Sequence, residues 1–209
     1  MTDRPRVASR AQPAPAEHGS TATGPRYLAF SVLVLLIGIL AAVETILLIP
    51  GHVEADLLWV GPVLAAGFLL AEQLTIDTNV RRIDWTISFT EIPLVIGLLV
   101  APFWVVLVAH LIAGLLTQLR RRATAHVVYN SGAMCLEIVL PFVIYQLLLQ
   151  AGAGAPAWVL ALVAVLSSPL VSTALALVAL RIIGTGLRAA EAARLSARTL
   201  VVGLLNASV

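Results

Sequence analysis

The chain has 209 residues, 60 % of them hydrophobic and only 11 % charged, with a formal net charge of +2. Soluble domains carry about 25 % charged residues. That shortage excludes a soluble globular domain and points to an integral membrane protein that is all-α, a bundle of about six transmembrane helices including a short helical hairpin. Every basic residue other than histidine is arginine, and the positions of those arginines are more informative than their sum.

Three regions follow in order. Residues 1–25, rich in Ala, Pro, Ser, Thr and Gly without apolar periodicity, read as a disordered cytoplasmic tail. Residues 26–183 read as the transmembrane bundle, and residues 184–209 as an amphipathic connector. Within the bundle, Tyr27–Ile49 is the first span and Pro50-Gly51 ends it. Leu57–Leu74 returns, and Thr75–Trp85 forms a loop holding Arg81 and Arg82.

The stretch Ser88–Arg122 is pivotal. As one helix it would be roughly 50 Å long, against a hydrocarbon core of about 30 Å. It therefore folds at Ala101-Pro102, either as a tight hairpin of two short spans from Thr86 to Leu119 or as a re-entrant pair. Ala125–Leu149 then runs outwards, Gly152–Pro156 turns, and Trp158–Leu180 returns with Ser167-Ser168-Pro169 in its middle. Every internal arginine then falls on one side. Positive charge marks the cytoplasmic side, so both termini are expected in the cytoplasm.

Ionisable groups at membrane depth are costly and suggest function by default. Glu137 lies near the midplane of the fifth span and His110 near that of the fourth. These spans are joined by a short loop and are expected to be antiparallel neighbours, so the two groups can share a proton. Asn130, seven residues before Glu137, is on the same helix face and extends a polar track. Pro141 cannot donate to the carbonyl of Glu137, which places a freed carbonyl beside the carboxyl. The blander alternative is a neutral, hydrogen-bonded Glu137 and a core histidine. Glu91 is either part of a ligand or proton site or an interfacial cap, since Ser88-x-x-Glu91 has capping-box spacing, with Thr90 competing as the cap. Pro62, Pro141 and Pro169 are each expected to free a carbonyl inside a helix. Gly38 with Ala42, Gly61 with Ala65 and Ala109 with Ala113 are small-residue pairs suited to close packing.

No phosphate-cradling glycine loop and no metal-spaced His/Cys/carboxylate cluster is present in the sequence. No cofactor and no enzymatic activity are expected for these residues. Expected partners are the lipid bilayer, a small-molecule or lipid ligand and a second copy of the chain as a homodimer, with no nucleic acid. Cys135, the single cysteine, reads as a buried packing residue.

The run Glu91-Ile92-Pro93-Leu94-Val95-Ile96-Gly97-Leu98, followed by Arg120-Arg121-Arg122, Val128-Tyr129-Asn130 and Leu136-Glu137, resembles the N-terminal multi-helix sensory regions of bacterial, particularly actinobacterial, signalling proteins. There a membrane bundle precedes a diguanylate cyclase, a cyclic-di-GMP phosphodiesterase or sometimes a histidine kinase. The resemblance covers Tyr27 to Ile183 and implies an input module that relays a signal to a cytoplasmic output domain. In the connector, Arg188, Glu191, Arg194 and Arg198 fall on one helical face, and Thr199–Val209 turns apolar. It reads either as a chain cut short before a further segment or as an interfacial helix that ends there. Two rival functions remain at this point, a small permease or substrate-binding transporter subunit, and a ligand-free membrane scaffold.

Arginine placement generates a test of orientation. In a Cys135-replaced background, single cysteines at Glu54 and Gly154 should react with an impermeant thiol reagent added outside intact cells. Cysteines at Asn79 and Ala123 should not, and their labelling from outside would reverse the orientation.

Overall fold

The computed structural model describes residues 24–49, 59–74, 89–120, 126–152 and 154–183, together with the backbone of 76–80 and 83–87. The N-terminal tail, the loop around Glu54 and the connector from residue 184 onwards lie outside the described residues.

Seven helices and one two-stranded hairpin make up the described chain. Helix α1 spans Pro25–Leu48, with proline in its first turn, where its missing N–H costs nothing. Helix α2 spans Val60–Gln73. Strands β1 (Ile76–Val80) and β2 (Ile83–Ile87) pair antiparallel, with Ile76 opposite Ile87 and Val80 opposite Ile83. Helices α3 (Glu91–Val100), α4 (Phe103–Arg120), α5 (Val127–Gln150), α6 (Ala157–Val165) and α7 (Ser167–Ile183) follow. The loop expected at Thr75–Trp85 is therefore largely a β-hairpin, which runs on through Ile87. The third pass, expected from Thr86, begins instead at Glu91.

Among the described residues, four segments are long and apolar enough to cross a membrane: Pro25–Leu48, Phe103–Arg120, Val127–Gln150 and Ala157–Ile182. The other two are shorter than expected. Helix α2 has 14 residues, about 21 Å, and α3 has 10, about 15 Å. Neither matches a core of about 30 Å. The last span has one irregular turn, at Leu166, where α6 gives way to α7 with backbone angles that stay helical (φ −59°, ψ −17°), and Pro169 sits in the first turn of α7. Pro62 likewise sits in the first turn of α2. A first-turn N–H has no intrahelical acceptor to lose, so among the described residues only Pro141 interrupts a helix interior.

Side-chain pairings give the relative directions. Tyr27 meets His126, Phe30 meets Tyr129 and Gly38 meets Gly132, so α1 and α5 run parallel. Gly61 faces Val105 and Phe68 faces His110, so α2 and α4 run parallel as well. Helix α3 runs the other way beside them, with Pro93 at Gly67 and Gly97 at Val106. Phe103 against Phe142, at 5.2 Å between ring centroids, and Gln118 against Asn130 make α4 and α5 antiparallel. Helix α5 touches α1, α4, α6 and α7 and is the axis of the bundle.

The packing follows membrane logic. The buried face of α1 is Tyr27, Ser31, Val34, Gly38, Ala42 and Thr45, spaced three or four apart and mostly small. Its large apolar side chains point out, among them Leu40 and Leu47. Lipid solvates leucine as well as a protein core does, so close backbone approach rather than apolar burial holds the helices together. Ala109, Ala113, Ala161 and Ala164 repeat the pattern in the core. Cys135 is buried there too. Buried hydroxyls bond back to their own helices, Ser31 to Tyr27 O at 2.8 Å, Thr45 to Ala41 O at 2.7 Å and Thr117 to Ala113 O at 2.9 Å.

The crossing of α1 on α5 is the tightest test of this packing. A Cβ on Gly132 would come within 2.5 Å of Leu35 N and 2.6 Å of Val34 C, both backbone atoms that cannot turn aside. Gly132→Ala should cost about 1–3 kcal/mol by forcing the helices apart. Gly61→Ala, whose Cβ would meet Val105 at an ordinary 3.5 Å, should stay close to wild type. Unfolding of the reconstituted protein by titrated SDS measures both.

Candidate functional site

The site is assembled from three helices at one level. His110 comes from the middle of α4 and is 3 % exposed. Its ring packs edge-on against Phe68 of α2, 4.8 Å between centroids. Its Nε2 lies 3.5 Å from Oε2 of Glu137 on α5, whose side chain is 20 % exposed. That distance is within ion-pair reach but long for a hydrogen bond. Neither ring nitrogen of His110 has a hydrogen-bond partner among the described residues. The other carboxylate oxygen of Glu137, Oε1, accepts a hydrogen bond from Ser172 Oγ on α7. Ser172 Oγ also lies 3.2 Å from the carbonyl oxygen of Ser168, one turn earlier.

The local sequence explains how these groups reach each other. Helices α4 and α5 are antiparallel, and the positions flanking His110 and Glu137 are small or packed, such as Ala109, Ala113 and Ile138. Pro141, buried one turn after Glu137, leaves that residue's carbonyl without its usual donor. The irregular turn at Leu166 starts α7 just above Ser168 and Ser172, so the hydroxyls fall at the level of the carboxyl.

A second polar layer lies seven residues along α5 from Glu137, about 10 Å away. Asn130 Nδ2 donates to Gln118 Oε1 of α4 at 3.2 Å, and Gln118 Nε2 lies 3.7 Å from Met134 Sδ. Asn130 is thus taken up by a partner of its own, which the expected continuous track from Asn130 to Glu137 did not include. At the end of the same interface, Tyr27 Oη and His126 Nδ1 are 2.8 Å apart, and Tyr27, Phe30 and Tyr129 form an aromatic cluster with His126.

Glu91 is placed elsewhere. It is the first residue of α3, buried at 8 % exposure, with Thr90 as the N-cap. Thr90 as the cap places Pro93 in the first turn, and Ser88 of the expected capping box lies outside the described residues. Phe89 N donates to Ala71 O at 3.5 Å, which ties this end of α3 to α2. Glu91 comes from α3, whereas His110, Glu137 and Ser172 come from α4, α5 and α7.

Chemically, the cluster holds an imidazole and a carboxyl in a site closed on most sides. A lone charge is expensive there, so the pair is stable as two neutral groups or as one ion pair. Moving one proton interconverts them, and adding or removing one leaves a net charge on three helices. Among the described residues no group of three His, Cys, Asp or Glu is arranged to hold a metal ion. Ser172 and Gln118 escaped the sequence reading. Serine in an apolar helix usually bonds back to its own backbone, and nothing local marks the one that reaches across.

Comparison with protein-family models, curated proteins and solved structures finds no match to this chain.

The Asn130–Gln118 bond yields a stability prediction. A double-mutant cycle of Asn130→Leu and Gln118→Leu should give a coupling of about 0.6 kcal/mol, and no more than about 1.7 kcal/mol, the range of interhelical hydrogen bonds in bilayers. SDS-driven unfolding of the four proteins supplies the cycle. A coupling indistinguishable from zero would mean that the pair does not hold α4 to α5.

Proposed function

We propose that this chain is the membrane-embedded input module of a bacterial signalling protein, of the type that precedes cyclic-di-GMP output domains. Its responsive centre is the cluster of His110, Glu137 and Ser172. The observation that carries this reading is the ionisable pair between α4 and α5, His110 buried and Glu137 partly so, with Glu137 bonded directly to α7. Helix α7 runs on to Ile183 and the arginine-bearing connector. A change of charge or ligand at Glu137 therefore has a mechanical route towards a cytoplasmic output. The resemblance at Glu91–Leu98 and at Val128–Glu137 supports the same reading. In this proposal α2 and α3 complete six passes as short, locally thinned segments, with both termini in the cytoplasm of a bacterial cell. Glu91 belongs to a separate buried position at the α2–α3 junction. No catalytic activity is assigned to the membrane region.

A second reading, a small-molecule permease, draws on one feature of its own. Half-length α3 packs against α6, itself a short helix, and discontinuous helices at mid-membrane often line transport sites.

Glu137→Gln separates the two. It removes the charge with little change in volume, so membrane insertion should be preserved. For an input module, the response of the native output to its stimulus should be lost or fixed at one level in a reporter strain. For a permease, substrate accumulation in cells should change instead. A Glu137→Gln protein that behaves as wild type in both assays would make Glu137 structural and remove the proposed centre.

A further inference from the structure

Heights along the bundle can be read from contacts to one residue. His110 of α4 and Ser172 of α7 both meet Glu137 of α5, so the three stand at one depth. Towards the arginine end, Arg120 lies ten residues beyond His110 and Arg181 nine beyond Ser172, about 15 and about 14 Å along their helices. Both arginines are exposed, and they mark a single level. Towards the other end the helices disagree. Trp104 lies six residues before His110, about 9 Å away, and Trp158 lies fourteen before Ser172, about 21 Å away. The turn at Leu166 keeps helical backbone angles, so α6 and α7 can be counted as one rise.

Neighbouring helices repeat this step. Gly61 faces Val105, which sets Trp59, just ahead of α2, within about 2 Å of the level of Trp104. Glu44 of α1 lies six residues past the contact of Gly38 with Gly132 and Cys135, and comes within about one turn of the same level. On the taller side, α4 starts at Phe103 opposite Phe142, and α5 runs eight residues further to Gln150, about 12 Å.

The exposed residues fit a surface at each height. Trp59 is 78 % exposed, Trp104 37 % and Trp158 57 %. Tryptophan favours the headgroup interface of a bilayer, because it pairs an apolar ring with one N–H donor. A level bilayer cannot meet both heights. Drawn at Trp104, it leaves the exposed side chains of Leu147, Leu149 and Trp158 in water. Drawn at Trp158, it sinks Trp59, Trp104 and the exposed carboxyl of Glu44 deep into hydrocarbon, where an ionisable group is costly.

We infer that the lipid-facing surface of α2 and α4 binds a thinned leaflet. On the tryptophan side the headgroups step inwards by about 12 Å, measured along the helices, from the α5–α6 end to the α2–α4 face. The leaflet on the arginine side stays flat. The thin sector spans about 24 Å from Trp104 to Arg120, against about 35 Å from Trp158 to Arg181 and a hydrocarbon core of about 30 Å. Its fitting occupants are phospholipids with short or kinked acyl chains, which meet a short span without the compression that long chains need. The inference rests on the membrane placement within the proposed function, with α2 a short pass, and not on signalling.

The test uses two single-tryptophan versions of the full chain, one keeping Trp104 and one keeping Trp158, with the other tryptophans replaced by phenylalanine. Each is reconstituted in phosphatidylcholine brominated either high on the acyl chains or near their ends. Bromine quenches tryptophan fluorescence at contact, so the two lipids report depth. Both tryptophans should be quenched more by the high bromines, despite the offset of about 12 Å between them along the helices. Stronger quenching of Trp104 by chain-end bromines, with Trp158 at the interface, would mean a level bilayer and overturn the step. So would a Trp158 that is quenched by aqueous iodide and by neither lipid. If neither tryptophan responds to lipid bromine, the membrane placement fails and the step with it. A second measurement leaves every tryptophan in place. In Cys135→Ala carrying Val108→Cys, a spin label at this exposed position of α4 is read by its collisions with oxygen and with an aqueous nickel chelate. A thinned leaflet puts the label about 6 Å below the headgroups, and a level one puts it about 18 Å down, near the bilayer centre. The output assay on Glu137→Gln is untouched by these results, so the signalling reading and the step can fail separately.

Discussion

A polar group surrounded by hydrocarbon has to find its partner inside the protein, and the rest of this structure depends on that constraint. Water is not there to compensate an open N–H, carbonyl or hydroxyl, and each one left open costs several kcal/mol, on the order of a lost hydrogen bond or more. The backbone therefore closes on itself in helices. Ser31, Thr45 and Thr117 turn back to carbonyls of their own helices. Side chains that cannot do so, His110, Gln118, Asn130 and Glu137, meet one another across α4 and α5. The same medium removes the ordinary reason to bury leucine. Large apolar side chains of α1 face outwards, while glycine, alanine and serine line its contact with α5.

Helix α5 is where these demands converge. One face carries Gly132, which admits the backbone of α1. Another carries Asn130 and Glu137, which meet α4 and α7. Pro141 adds a carbonyl without its helical donor beside the carboxyl. The elements of reduced length, α3 and α6, pack against each other away from α1. The bundle thus has a continuous side, made of α1, α4 and α5, and an interrupted side, made of α3 and the irregular α6–α7 turn. Glu137 lies where the two sides meet, facing α4 through His110 and α7 through Ser172.

Glu137 and His110 could be singled out from the chain alone because an ionisable residue in an apolar run is conspicuous at any position. Their juxtaposition also followed from a short α4–α5 connection and from equal depth. Ser172 could not be found in that way. Its helix is apolar, its neighbours Ser168 and Thr173 are just as polar, and only the rotation of α7 about its axis selects which hydroxyl meets the carboxyl. Gln118 is a similar case, because Asn130 has a partner only once the register of α4 on α5 is set. The length of α3 is not legible in the chain for another reason. Apolar composition extends to both sides of Glu91, and hydropathy does not distinguish a strand from the first turns of a helix.

Composition and hydropathy by themselves determined the apolar, helical class of the protein, the turn at Ala101-Pro102 and the residues worth watching at depth. These are properties of transfer between water and lipid, which sum along the chain and need no knowledge of neighbours. The tertiary structure decided the rest: which segments are long enough to cross, where the last one turns irregular, how closely Gly132 admits α1, and that Glu137 is held by a serine from α7 rather than by Asn130. Those depend on the rotation and register of one helix against another. Side-chain shape at the contact sets them to within about an ångström, and an apolar run of almost any order satisfies the bilayer equally well.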